Sequence, residues 1–234
     1  MGFSYFQGYF FSKPEIISNK DISGFKLHYR ELLRQILKQE LDYEQLEDII
    51  KRDLSLSYKL LHYTNSAAFP FRRKIDSISH AFALLGEREF RKWATLLALA
   101  SLGSDKPEEL VSQATVQAKF CESLTAQTEL ASRTSDAFLM GLFSLLDASI
   151  DRPLDDIFTE VSFTKDVQVA LSGASGPLHA VYAATLAYEK GEWEAFSIQV
   201  VQLGVDESEV PTLYREAVDW GHQSVQACQD TEKD

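Results

Sequence analysis

The chain has 234 residues, of which 45% are hydrophobic, and this content is enough for a packed core and excludes a globally disordered chain. The net charge of −12 is unevenly spread, because residues 1–104 carry 15 basic and 12 acidic side chains whereas residues 105–234 carry 8 and 23. Such an acidic surface would repel a phosphate backbone, so nucleic acid is excluded as a general partner.

The segment 1–14 differs in composition from the rest of the chain. Six aromatic rings occupy positions 3–11 and the segment ends at Pro14, a composition that favours extended structure. We therefore expect a short extended N-terminal arm. Because each exposed ring forgoes roughly 1.5–3 kcal/mol of burial, the arm is expected to pack on its own chain or, in preference, on a second copy in a homodimer. A disordered arm is the alternative.

From Phe25 onward the apolar residues recur at helical spacing. Asp42 and Gln45 resemble a capping box that opens a second helix, and Ser55 can cap a third. The stretch 67–76 is expected to be a loop, since it contains a proline and a basic run. A helix is then predicted from Ser77 to Gly86, and another over residues 87–102.

After a break at residues 103–107, a long helix is predicted to about Ser132. An apolar stretch over 137–146 predicts a buried central helix. Further helices are predicted at 153–159, 164–172, 177–190, 193–203 and 207–228. The fold is therefore expected to be all-α, with many helices. The predicted domain covers residues 15–230, with candidate lobes 15–103 and 104–230, and a frayed tail covers 231–234.

The chain shows few of the patterns that metal sites and nucleophiles need. No histidine is followed by aspartate, and no nucleotide-binding glycine motif is present. Asp219 and His222 could supply two ligands from one helix, but a solvated pair is favoured. Cys121 and Cys228 lack a nearby partner cysteine, and Cys121 is expected to fill the core. With no secretory signal and no apolar run of membrane-spanning length, the chain is expected to be cytoplasmic and free of the membrane.

The stretch from Asp48 to Gly86 carries a more specific pattern. It combines an acidic residue, a Leu-Leu helix, Asn-Ser, Ser-Ile, an alanine and Leu-Gly, in an order and spacing that resemble the signature of the HDOD family. This family is all-helical and related to HD-type metal phosphohydrolases. The signature positions, which we expect to be structural, are Asp53, Asn65, Ser66, Ser77 and Gly86.

In HD-type phosphohydrolases an adjacent histidine and aspartate bind a catalytic metal. The matching positions of this chain hold Ser144 and Leu145, which cannot replace those ligands. The resemblance therefore implies a non-enzymatic regulatory module, with no catalytic residue, metal or cofactor, that mediates protein interaction or ligand sensing. The alternative is a divergent HD-type metal phosphohydrolase with an unrecognised ligand set.

A second stretch, Phe6-Gln-Gly-Tyr-Phe-Phe-Ser-Lys-Pro14, resembles the closing strand of the EAL barrel. The two patterns together resemble the junction of two-domain EAL–HDOD proteins, with the barrel expected before Phe3. They imply a role in cyclic di-GMP signalling, with an EAL domain in cis or other signalling proteins as partners. The candidate interaction residues are Phe6, Tyr9, Phe10 and Phe11 of the arm and the basic cluster Arg72, Arg73 and Lys74, for which a solvated loop is the alternative.

Overall fold

A computed structural model gives the fold, and it describes residues 27–38, 40–65, 75–102, 108–150, 153–155, 158 and 163–229. These residues form α-helices joined by turns and one 3₁₀ helix, with no β-strand among them. The predicted all-α fold is therefore confirmed. The predicted features that fall wholly or partly outside the described residues include the arm (1–14), Ser66, the loop at 67–76 with its basic cluster (72–74), the break at 103–107, the helix at 153–159 and the tail (231–234).

Apolar stripes and end caps in the sequence account for the formation of the first helices. Helix α1 (Leu27–Ile36) buries one stripe against α4 (Ile78–Leu102), and α2 (Tyr43–Arg52) and α3 (Leu54–Thr64) follow it. The buried side chains of the α1 stripe are Tyr29, Leu32, Leu33 and Ile36. The Asp42 carboxylate accepts a hydrogen bond from the Gln45 N–H at 3.1 Å, which caps the start of α2 as predicted.

Helix α4 is interrupted where the sequence predicts an end. Gly86 has φ 69° and ψ 171°, so the helix stops and resumes at this residue. A Cβ built on Gly86 would contact nothing within 4 Å, so its positive φ alone requires glycine. Beyond the break, the Arg91 guanidinium donates to the carbonyl oxygens of Ile36 and Lys38 and satisfies the end of α1.

The next helices are α5 (Glu108–Ala126), α6 (Thr134–Phe143) and α7 (Leu146–Ile150). The prediction that α5 continues to Ser132 is wrong, because a turn and a 3₁₀ helix (Ala131–Arg133) replace its last part. The Thr128 hydroxyl donates to the Thr125 carbonyl and accepts from the Leu130 N–H. These side-chain bonds take the place of helical backbone bonds and end α5.

The chain closes with α8 (Lys165–Leu171), α9 (His179–Lys190), α10 (Trp193–Leu203) and α11 (Val210–Gln229). Two glycines in the left-handed region, Gly191 and Gly204, end α9 and α10. Among the described helices, none combines the length and apolar character needed to cross a membrane. The division into two lobes stays a prediction.

The core is organised around α5, which lies between α6 and α11. A Cβ on Gly141 of α6 would come within 2.6 Å of the Gln117 carbonyl oxygen and 2.7 Å of the Ala118 Cα. On the other side, a Cβ on Gly221 of α11 would lie 2.8 Å from Cγ2 of Val116. At Gly141 the two backbones therefore lie closer than any larger residue would allow, whereas at Gly221 the close contact is with a side chain.

A buried ion pair joins α4 to α5. The Lys92 ammonium lies 2.5 Å from a Glu122 carboxylate oxygen, and both side chains are more than nine-tenths buried. Lys119 contacts the other carboxylate oxygen at 2.9 Å. Burial acts to raise the pKa of Glu122, but the two lysines outweigh it and hold the pKa below its usual value.

Replacing Gly141 with alanine should destabilise the fold. In a helix interior this change ordinarily stabilises by about 1 kcal/mol, but here the added methyl meets the α5 backbone and should cost about 1–3 kcal/mol net. Gly221→Ala is the comparison, and it should cost less because the side chain of Val116 can move. Urea unfolding of the three proteins measures the difference. If Gly141→Ala were as stable as the parent, the backbones of α5 and α6 could not lie as close at Gly141 as described.

Candidate functional site

Of the signature residues that the structure describes, Asp53, Asn65 and Ser77 lie at the helix ends that join α2, α3 and α4. The Asp53 carboxylate accepts from the backbone N–H groups of Ser55 and Leu56, at 2.9 and 3.2 Å, and so caps α3 in place of the predicted Ser55. The Ser77 hydroxyl accepts from the His80 N–H at 3.3 Å at the start of α4. Each of these contacts joins a side chain to a backbone N–H two or three residues later, so it stabilises the start of a helix.

The side chain of Asn65 makes three hydrogen bonds to backbone groups. Its side-chain amide donates to the carbonyl oxygens of Leu61 and Ile75, at 2.6 and 2.8 Å. Its carbonyl oxygen accepts from the Ile75 N–H at 2.8 Å. One side chain therefore joins the end of α3 to the backbone ten residues later, across the segment that holds Ser66 and the basic cluster. The structural role of Asn65 stays a prediction.

Ser144 and Leu145, which are predicted to stand where HD-type enzymes have their histidine and aspartate, lie just after α6. The hydroxyl of Ser144 lies 2.6 Å from the Gly141 carbonyl oxygen and also contacts the side-chain oxygen of Gln117. Leu145 is buried. Ser144 is thus part of the crossing between α5 and α6.

Gln117 extends this contact to α9. Its side chain is fully buried, and its amide donates to the Glu189 carboxylate at 2.9 Å. Burial raises the pKa of Glu189 to about 7, against the opposing effects of the Gln117 hydrogen bond and of Lys190. The polar chain Ser144–Gln117–Glu189 therefore links three helices and ends in a carboxyl group that titrates near neutral pH.

The thiol that the structure describes near this polar chain, that of Cys121, is not activated. The thiol of Cys121 lies 3.3 Å from the Thr185 hydroxyl and is fully buried. Burial raises its pKa to about 12, so it stays protonated at neutral pH, as a core side chain does. In the described part of the chain, no three potential metal-ligating side chains lie together.

A separate cavity of about 490 Å³ lies between α4 and α6, next to the ends of α1 and α8. Its polar lining includes Lys38, Arg91 and Asp136, and its apolar lining includes Leu139 and Phe163. This volume lies in the range of small-molecule sites, about 300–1,000 Å³.

Pattern reading from the sequence did not identify Gln117, Glu189 or the Lys92–Glu122 pair. Each is a polar residue inside a helical stretch, a pattern that usually indicates a solvent-facing side chain. In the sequence, Gln117 and Glu122 lie next to apolar positions of α5, which is compatible with burial. Their partners Glu189 and Lys92 lie far away in sequence, so the sequence does not indicate the contacts.

Removing the Asn65 side chain should cost on the order of 1–2 kcal/mol of unfolding free energy, as for other lost caps and buried hydrogen bonds. Asn65→Asp is the matched control, because it keeps the acceptor for the Ile75 N–H and loses both donors. It should fall between the parent and Asn65→Ala in chemical unfolding. Full stability of Asn65→Ala with impaired signalling would assign Asn65 to recognition.

Glu189 should make stability depend on pH. Its folded-state pKa of about 7 exceeds the usual 4.5, so the folded protein binds the proton more tightly. The resulting stabilisation is fully present below the usual pKa and is lost as the pH rises through about 7. Glu189→Gln, which mimics the protonated acid, should remove this slope between about pH 5 and pH 8. Thermal melting at several pH values tests this, and an unchanged slope would contradict it.

Comparison with known proteins gives a family match and relatives that align with nearly the whole of this chain. Residues 25–147 match the family model of HDOD domains. The chain is 33% identical over 94% of its length to the cyclic di-GMP phosphodiesterase CdgJ of Vibrio cholerae, covering 51% of that protein. It is 34% identical over 97% of its length to the uncharacterized protein YuxH of Bacillus subtilis, covering 55% of it. The chain thus spans about half the length of these curated relatives. No solved structure matches significantly.

The expectation of a non-enzymatic protein is wrong in light of these relatives, because one of them is named a phosphodiesterase. That expectation rested on Ser144 and Leu145 and on the scarcity of recognisable catalytic or metal-binding patterns in the sequence. A serine and a leucine at the expected ligand positions concern that one site only, and they do not exclude an activity elsewhere. The family match covers more than half of the chain and agrees with its helical fold, so the chain belongs to the HDOD domain family.

Proposed function

We propose that the chain is the HDOD part of a cyclic di-GMP phosphodiesterase, in which an EAL barrel precedes Phe3 and the helical domain sets the rate of hydrolysis. The observation that carries this proposal is the 33% identity, over 94% of the chain, to a protein named for that activity. The resemblance of residues 6–14 to the closing strand of an EAL barrel supports the position of the barrel. The HDOD match supports a role in signalling.

Control of a second domain requires that the helical domain respond to a ligand, a proton or a partner with a change in free energy. Two features of the described residues are suited to this. The cavity beside Lys38 and Asp136 has room for a small molecule. The polar chain ending at Glu189 changes charge near neutral pH and contacts α5, on which the core is organised.

The test is hydrolysis of cyclic di-GMP to the linear dinucleotide, with Mg²⁺ or Mn²⁺ present. The full product of the gene is compared with the chain of residues 1–234. We expect the full product to hydrolyse cyclic di-GMP faster than the 234-residue chain does. In the full product, Glu189→Gln should change the turnover rate and its dependence on pH, because the glutamine side chain stays uncharged at every pH, as the protonated Glu189 is.

A full product without activity would contradict the proposal. Metal-dependent hydrolysis by residues 1–234 at the rate of the full product would place the activity in the helical domain and would also contradict it. A control variant, Leu84→Glu, changes an exposed side chain of α4 and should leave the turnover rate unchanged.

A further inference from the structure

The three most exposed large hydrophobic side chains of the described residues lie on one helix, α10. Trp193 is 60% exposed, Ile198 65% and Val201 77%. With about 3.6 residues per turn, Val201 lies between Trp193 and Ile198 around the helix, about 80° from Trp193 and about 60° from Ile198. Phe196 and Val200 are buried in the core on the side opposite Ile198, and Trp193 in the first turn borders this buried side. Helix α10 is therefore apolar on both sides, and we call its exposed residues, Trp193, Ile198 and Val201, the α10 stripe.

The α10 stripe continues into a groove of about 860 Å³. Val201, Leu203 and Pro177 line this groove together with polar side chains that include Gln127, Gln199 and Gln202. The ring of Trp193 at the other end of the stripe is held against Tyr188 and Phe196, at centroid distances of 5.6 and 6.5 Å. The surface therefore combines a fixed aromatic ring with a depression that can receive side chains.

The surroundings of the α10 stripe are acidic. Residues 190–210 contain five acidic residues and one basic residue, Lys190. Glu194 lies on the exposed side of α10, between the positions of Trp193 and Ile198. The Ser197 hydroxyl donates to the Glu207 carboxylate at 3.0 Å, which places a second carboxylate next to the stripe. An apolar surface bordered by carboxylates favours a partner with the opposite charge.

We propose that the α10 stripe and its groove are the docking site for an amphipathic helix of a partner protein, one whose apolar face is flanked by lysine or arginine. Apolar side chains of the partner would cover the stripe and enter the groove, and its basic residues would meet Glu194 and Glu207. A second copy of the chain is a poor occupant, because two facing stripes would bring two acidic borders together. This inference does not depend on the proposed function.

The test uses the full chain and a synthetic peptide with leucine and lysine at helical spacing. Trp193 reports binding, because Trp93 is fully buried and Trp220 is partly buried. We expect a saturable blue shift of the tryptophan emission that weakens with added salt and disappears in Trp193→Phe. Ile198→Glu and Val201→Glu should each weaken binding by about tenfold or more, a loss worth about 1.4 kcal/mol.

Matched controls distinguish docking at the α10 stripe from nonspecific binding of the peptide. Leu84→Glu adds the same charge at an exposed apolar residue of α4 and should leave binding unchanged. A peptide with glutamate in place of lysine should not bind. The proposal is overturned if no shift occurs, if both peptides bind equally, or if the stripe variants bind normally. It is also overturned if Val201→Glu dissolves a dimer of the chain, since a second copy would then be the occupant. Circular dichroism checks that each variant is folded.

Discussion

The absence of a side chain at two helix crossings sets the position of α5. At Gly141 the backbones of α5 and α6 approach so closely that a Cβ would lie 2.6 Å from a carbonyl oxygen. At Gly221 the same helix meets α11, with a side chain of α5 filling the space. Protein interiors are packed as densely as organic crystals, so the backbone contact at Gly141 leaves no room for a larger residue, and at Gly221 the Val116 side chain would have to move. The placement of α6, α11 and the side chains between them follows from these two contacts.

The close helix crossings bring buried polar groups within hydrogen-bonding distance of partners in the core. With α6 against α5, the Gln117 amide is enclosed, and its hydrogen-bonding groups find Ser144 on one side and Glu189 on the other. The Lys92 ammonium is similarly enclosed between Glu122 and the Phe138 ring, whose centroid is 5.1 Å away. A buried ion pair contributes little net stability but is costly to break on one side. The pair therefore favours a single register of α4 against α5.

The sequence predicted the helices well where local rules decide. The stripe of α1, the break at Gly86 and the ends of α9 and α10 all depend on side chains a few residues apart. The end of α5 was missed because the Thr128 hydroxyl competes with the helix in a way that apolar spacing does not show. Gln117 and Glu189 were missed for a different reason. Their contact spans 72 positions, and only the packed fold brings them together.

The hydrogen bonds between Asn65 and Ile75 also bear on how the domain can change in evolution. The two ends of the intervening stretch are held together by bonds that need nothing from its own side chains. Closing a longer loop between ends that are already joined costs little, about 0.6 kcal/mol for each doubling of length. Insertions between α3 and α4 can therefore accumulate, and new sequence can be displayed there, without disturbing how the two helices meet.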